Sequence, residues 1–400
     1  MTAGPGSGAL DGLLVADFSR VLAGPYMTML LGDLGATVIK VESPEGDQTR
    51  TWGPPWRDGE STYFQSANRN KKSVVLNLRD PADRELAAEL ARRADVLVEN
   101  LLPKRMRAFG LDYETVSRTN PGVVYCSLTG FGSQPAGAEL PGFDLVAQAA
   151  SGLMSITGDS DGPPTKVGAA VVDVLCGLYG GFATLAALGA RHRLGRGQLV
   201  EANLLSSALS ALVNQAAGFT MAGSVPGRLG NAHPSVAPYE VYRAADGDVV
   251  IAAGTERQFR GLCIALGLGR LAADERFATN TARVANREEL RELLGAPLAS
   301  MGREQIVDLL QLAGVPATVV NDVGAAFSLA ARLQLEAVWS IDGVDHVRAP
   351  FFMSETTPRP TSAAPALDSH GPEIREWLGT PHSLAGETGG PGRSGVAGTE

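Results

Sequence analysis

Two β-branched runs with one helix-length apolar stretch between them constrain this chain's fold more than any other feature. LLVAD (Leu13 to Asp17) reads as a buried strand. Gly24-Pro25 follows, then an apolar stretch from Tyr26 to Leu34 that suits a helix, closed by Gly35. TVIKVE (Thr37 to Glu42) is the second strand. A strand–helix–strand unit of this kind crosses over right-handedly. The rhythm continues with a strand at Val74 to Leu78, a helix at Asp83 to Arg93, and strands at Val96 to Val98 and Val123 to Ser127. The alternation predicts an α/β fold: a parallel sheet with helices on both faces, and ligands bound at the carboxyl ends of the strands.

Beyond residue 198 the pattern changes. Leu199 to Met221 reads as Ala-rich helix. Tyr239 to Arg243 and Val249 to Ala253 then read as a hairpin turned at Asp246-Gly247, followed by helical patterns to about Leu312. The expected organisation is a large domain over 1–222, a second, smaller α+β domain over 223–325, a return to the large domain over 326–378, and a flexible tail over 379–400. Seven glycines fall in that tail.

Charge and cysteine usage narrow the function. A formal net charge of −9 argues against a nucleic-acid partner. Against that background, Arg69 to Arg107 carries ten Lys/Arg and six Asp/Glu, a local +4. Such a run is either an ordinary solvated surface or a site for a compact polyanion such as a nucleotide phosphate. The three cysteines, Cys126, Cys176 and Cys263, form no pair or cluster, which fits a reducing compartment. The start, MTAGPGSGALDG, has neither the positive nor the apolar region of a signal peptide, so a cytoplasmic location is expected. Val174 to Ala190 is uncharged over 17 residues, but it is short for a membrane span and holds four glycines. It reads as a buried, close-packed helix, with no membrane partner expected.

Several motif matches fail on chemistry. GDSDG (Gly158 to Gly162) has the spacing of a nucleophile elbow, but its serine sits between two carboxylates and runs into Pro163-Pro164. GFGSQPAG (Gly130 to Gly137) begins like a dinucleotide fingerprint but has Pro135 where the third glycine belongs. One residue stands out instead. In PTKVGAAVVDVLCG (Pro164 to Gly177), Asp173 is a lone carboxylate in an apolar run. Burying it unpaired is costly, so it is paired to a backbone donor, protonated, or used in chemistry.

Several stretches, in order and spacing, resemble the family III CoA-transferases, the family of formyl-CoA and carnitine CoA-transferases. They are DFSRVLAGPYMTMLLGDLGATVIKVE, GDQTRTWGPP, NRNKKSVVLNLR, DVLVEN, GFDLVAQAASGLMSITG, PTKVGAAVVDVLCG, GRGQLVEANLLSS, GNAHPSVAPYEVY and LAGVPA, spread from Leu10 to about Gly379. Within the family, TRTWGPP and NRNKKS look most like the succinate–hydroxymethylglutarate CoA-transferase branch. The resemblance implies a Rossmann-like large domain, a smaller domain and an interlocked homodimer. It implies CoA and acyl-CoA as substrates with no permanently bound cofactor or metal. Succinyl-CoA is the implied donor and a small, dicarboxylic acid the implied acceptor.

By the same resemblance Asp173 is the nucleophile. A carboxylate that attacks a thioester exchanges one activated acyl group for another, and an apolar setting keeps water from the intermediates. Leu22, Ala23, Leu76, Arg79, Asn100, Leu101 and Leu102 are implied to line the CoA site. Ser43-Pro44 and Ala108 stand where family members often have basic residues, so Arg50, Lys104, Arg105 or Arg107 is the implied substitute in holding CoA phosphate, and Lys72 is a further CoA-binding candidate. Phe143 and His233 are candidates for substrate contact, and Gln258 and Arg260 for a dicarboxylate. The racemase branch of the family has histidine where this chain has Phe143, and a phenyl ring neither donates nor accepts a proton. An α-methylacyl-CoA racemase is therefore the second reading, and a non-catalytic CoA-binding protein the third.

Overall fold

The structure, a computed structural model, describes residues 8–380. The leader reading over residues 1–7 and the tail reading over residues 381–400 lie outside the described residues. Six parallel strands form the central sheet: β1 (Leu14–Asp17), β2 (Thr37–Glu42), β3 (Lys71–Val75), β4 (Val96–Glu99), β5 (Val124–Thr129) and β6 (Leu199–Asn203). Their order is β3-β2-β1-β4-β5-β6. From β1 the chain winds one way to β2 and β3, then the other way from β4 onward. A crevice opens where the winding reverses, beyond the carboxyl ends of β1 and β4.

The strand sequences explain why both faces are covered. Successive residues point to opposite faces. Val15, Val38, Val96, Val98 and Val124 enter one core with Met27 and Leu31 of α1 (Ala23–Asp33). Their neighbours Ala16, Ile39, Leu97 and Tyr125 enter the other, with Ala87 and Leu90 of α3 (Pro81–Arg93). Between these helices in sequence lies α2 (Thr62–Asn68). After β4 comes α4 (Pro103–Phe109), and after β5 comes α5 (Asp144–Ala150). The chain then enters α6 (Val171–Leu194), and after β6 it continues into α7 (Leu204–Ala211) and α8 (Val213–Ala222).

Two sequence expectations are corrected. The third strand runs Lys71–Val75, not Val74 to Leu78. Its inward Lys71 and Ser73 serve a buried polar network and so disguise a strand. Leu199 to Asn203, expected to be helical, is instead the outer strand β6, paired in parallel with β5. Asn203 ends the strand and caps α7 by accepting the Ser206 N–H at 2.8 Å, so no turn residue marks the change of period.

The apolar helix α6 is long and apolar enough to cross a membrane by length and composition. One face packs on α1 and β5. A Cβ at Gly177 would lie 2.3 Å from the Ala23 carbonyl oxygen, and one at Gly180 would lie 2.8 Å from Leu128. The opposite face leaves Leu178, Tyr179, Phe182 and Leu185 exposed.

The smaller unit is an antiparallel sheet of β7 (Tyr239–Ala244), β8 (Gly247–Ala252) and β9 (Ala317–Val319). It packs with α9 (Glu256–Ala265), α10 (Asn280–Ala285), α11 (Arg287–Leu298) and α12 (Arg303–Leu312). Its core encloses the Arg283 guanidinium, which donates to the Ala237 and Phe277 carbonyls and to Glu256. The chain later returns to the main sheet in α13 (Gly371–Gly379), where Arg375 binds Asp83 at 2.7 Å and the Val75 carbonyl at 2.6 Å.

Candidate active site

Two adjoining cavities fill the crevice. The first, about 240 Å³, is walled by Leu22 and Ala23 after β1, Asn100 to Leu102 after β4, Gly130 and Gly142, and Phe143, and it reaches Asp173 and Cys176 of α6. The second, about 390 Å³, extends along the ends of β2 and β3 and is walled by Leu76, Arg79 and Ser43 to Asp47. Arg20, Leu101 and Arg105 border both. Of the residues singled out from sequence, Leu22, Ala23, Leu76, Arg79, Asn100, Leu101, Leu102, Arg105, Phe143 and Asp173 are thus brought together. Parallel strands deliver their connecting loops to one edge, which is why residues 150 positions apart meet.

Asp173 stands in the first turn of α6, partly buried, and among the described residues its carboxylate meets no hydrogen-bond donor. It is not the N-cap; Ala170 holds that position. The backbone beneath it is anchored by Asp144 of α5, whose Oδ1 accepts the Val172 N–H at 2.8 Å and the Asp173 N–H at 3.3 Å. Gln148 holds Asp144 in turn, donating to its Oδ2 at 2.6 Å. The positive end of the helix, which would favour a charged carboxylate at position 173, therefore already has an anion seated on it. Burial first, and then the charge of Asp144, push the Asp173 carboxyl up to about 7.

The rim opposite is rigid. Val21 has φ of 69°, a left-handed backbone that a β-branched residue adopts only under constraint. Its N–H donates to the Asp47 carboxylate at 3.2 Å. The Asn100 side chain accepts the Arg20 N–H at 2.9 Å and donates to the Arg20 carbonyl at 2.6 Å. Glu99, buried at the end of β4, accepts the Leu101 N–H at 2.8 Å.

Four sequence candidates are placed elsewhere. Arg50 grips Glu42 with two hydrogen bonds, of 2.8 and 2.7 Å, and lies 3.8 Å over the Phe64 ring, so its fork is engaged by the protein itself. Lys72 pairs with Glu373 of α13 at 2.8 Å and borders neither cavity. The His233 ring accepts the Ser235 N–H at 3.0 Å and packs 5.3 Å from Tyr239. Gln258 closes a capping box with Thr255 at the start of α9. The Asn100 amide borders the cavity as expected, but its hydrogen bonds go to Arg20.

Sequence reading missed Asp144, Arg20 and Gln48, and also Tyr63. The Tyr63 ring packs 5.2 Å from Trp52 in an edge arrangement. Its hydroxyl is pushed up to about 12, by burial first and then by the charges of Asp173 and Asp144, so α2 faces the start of α6. The one available signal for Asp144 was a carboxylate opening a helical stretch; its partner lies 28 residues away.

The pKa of Asp173 sets a pH dependence. A reaction that uses Asp173 as a carboxylate should show kcat/KM falling about tenfold per pH unit below about 7 and levelling off above it. Burial also pushes Glu99 up to about 7, with Glu201 adding to it. A pH–rate profile of Glu99→Gln separates the two. Retention of the acidic limb assigns it to Asp173, and its disappearance would assign it to Glu99.

Comparison with known proteins places this geometry. The profile of CoA-transferase family III matches residues 10–371. A succinate–glutarate CoA-transferase from Agrobacterium fabrum is 41% identical over 386 residues, covering 93% of this chain and 96% of the relative. A succinyl-CoA:mesaconate CoA-transferase from Haloarcula hispanica is 41% identical, covering 93% and 97%. The crystal structure of a CAIB/BAIF family protein from Brucella suis matches with a TM-score of 0.85 at 41% identity, covering 93% of this chain and all of that one.

Proposed function

We propose, for a chain that belongs to CoA-transferase family III, that it moves CoA from succinyl-CoA to a dicarboxylic acid through a covalent intermediate on Asp173. The observation that carries the proposal is the Asp173 carboxylate itself, lining a cavity and met by no donor among the described residues. The names of the two relatives, each pairing succinate or succinyl-CoA with a second dicarboxylic acid, support the choice of substrates.

The steps balance without water. The Asp173 carboxylate attacks the donor thioester carbonyl, giving a mixed anhydride and CoA thiolate. The thiolate attacks the aspartyl carbonyl and displaces the donor acid, leaving an aspartyl-CoA thioester. The acceptor carboxylate attacks that thioester to form a second anhydride, and the thiolate takes the acceptor acyl group, restoring Asp173. No resident cofactor is called on. Phe143 stands exposed at the cavity where proton transfer next to the thioester would need an acid or base, which disfavours the racemase reading. The exposed apolar face of α6 is suited to a second copy of the chain, supporting a homodimer. Three buried, unpaired cysteines are in keeping with a reducing, cytoplasmic setting.

Native mass spectrometry after incubation with succinyl-CoA tests both parts. The expected spectrum is a dimer carrying CoA linked, with loss of water, to the peptide that contains Asp173. A monomer would remove the dimer. An absent adduct, together with undiminished transfer by Asp173→Ala, would remove the covalent mechanism.

A further inference from the structure

We propose that Arg20 and Arg105 form a guanidinium clamp for the diphosphate of CoA at the junction of the two cavities. The inference rests on the CoA-transferase reading of the site and assigns residues within it.

Three observations carry it. First, these two arginines, with Leu101, are the residues common to both cavities, so anything that spans the cavities passes between them. CoA has that shape: a pantetheine arm that would reach Asp173, an adenosine, and a diphosphate between. Second, among the described residues neither guanidinium has an ion-pair partner. The carboxylates nearest on the rim are engaged: Asp47 by Lys40 at 3.0 Å, and Glu42 by Arg50. Partial desolvation first, and then the like charge of Arg105, weigh against the Arg20 guanidinium, with Asp47 a smaller opposing influence. An anion between them relieves both costs. Third, the main chain of Arg20 is fixed before any ligand arrives. Asn100 holds its N–H and carbonyl, and Asp47 holds the next residue in a left-handed turn. The side chain is left free on an immobile base, so little backbone order is lost when it closes on a ligand. A planar fork suits the paired oxygens of a diphosphate.

Titration calorimetry with CoA and with dephospho-CoA, which lacks the ribose 3′-phosphate but keeps the diphosphate, tests the assignment. Arg20→Gln and Arg105→Gln are each expected to weaken both ligands by about tenfold or more, and by the same factor. Arg20→Lys, with charge but no fork, should fall between. Melting curves check that the variants fold; both side chains are exposed, so folding should be unaffected. Wild-type affinity in both variants would overturn the clamp and leave the CoA reading standing. A loss seen with CoA but not with dephospho-CoA would also overturn it, by moving the pair to the 3′-phosphate. A wild-type protein that binds neither ligand would overturn the functional reading and the clamp with it.

Discussion

Asp173→Ala is expected to lower the rate of CoA transfer by ~10⁴-fold or more, the scale on which removal of a covalent nucleophile acts. CoA affinity should stay within a few-fold of wild type, because the change leaves Arg20 and Arg105, the proposed diphosphate clamp, in place. The two readouts together distinguish a lost nucleophile from a collapsed site. Asp173→Glu sharpens the test. It keeps the charge but moves the carboxylate by about one methylene, and a displacement of ~1 Å alone can cost ~10²-fold. Steady-state exchange between succinyl-CoA and a panel of dicarboxylic acids measures both variants. Residual Asp173→Ala activity above about a hundredth of wild type would end the assignment. Asp144→Asn is a milder companion: it keeps an acceptor for the Val172 N–H while removing the charge that raises Asp173.

The largest effect on stability is expected at Lys71. Its ammonium is fully buried and donates to Asp17 at 3.0 Å, the Pro25 carbonyl at 2.9 Å and Asn68 at 2.9 Å. Asp17 also accepts from Thr28 at 2.6 Å and from the Ser19 hydroxyl and N–H. Burial pushes the Asp17 carboxyl up, but Lys71, Lys40 and the two hydroxyls outweigh it and hold it below the usual range. Lys71→Met leaves that carboxylate buried without its nearest counter-charge, at a cost of ~3–5 kcal/mol. Against a total of ~5–15 kcal/mol, that is a large share. Denaturant unfolding measures it, and a change under about 1 kcal/mol would refute the account. Combining Lys71→Met with Asp17→Leu should recover much of the loss, since the uncompensated charge is then gone. The pH dependence follows from the lowered Asp17 pKa. Its stabilising contribution is complete above the ordinary value of 3.8 and disappears as the pH falls below it.

The sheet was legible where its strands carry unbroken apolar runs. Val96, Leu97 and Val98 serve two hydrophobic cores at once, so both alternate faces are apolar and the run stands out. It was hidden where strands carry polar cargo. β3 opens with lysines because one of them, Lys71, is the counter-charge of Asp17. β6 lies at the sheet edge with Leu199 and Glu201 exposed, and so lacks the buried signature of an inner strand. Asp173 could be singled out because a carboxylate among apolar neighbours demands a reason. Asp144 could not, since a carboxylate at a helix start already has a sufficient local reason. Arginines posed the same difficulty in reverse. Arg50, Arg79 and Arg105 are alike in a sequence, and only the fold reveals that Arg50 is spent on Glu42 while the other two are unpaired among the described residues.

Gly177 has a consequence for how this protein can vary over evolutionary time. It sits one helical turn past Asp173, where a single added methyl would strike the carbonyl of Ala23, itself part of the cavity wall. The two helices that border the first cavity touch backbone to backbone at that point. Any side chain there acts as a shim, lifting the helix that carries Asp173 away from the cavity wall. The permitted alphabet at position 177 therefore shrinks to one letter, for a reason of clearance alone, although the residue carries no functional group.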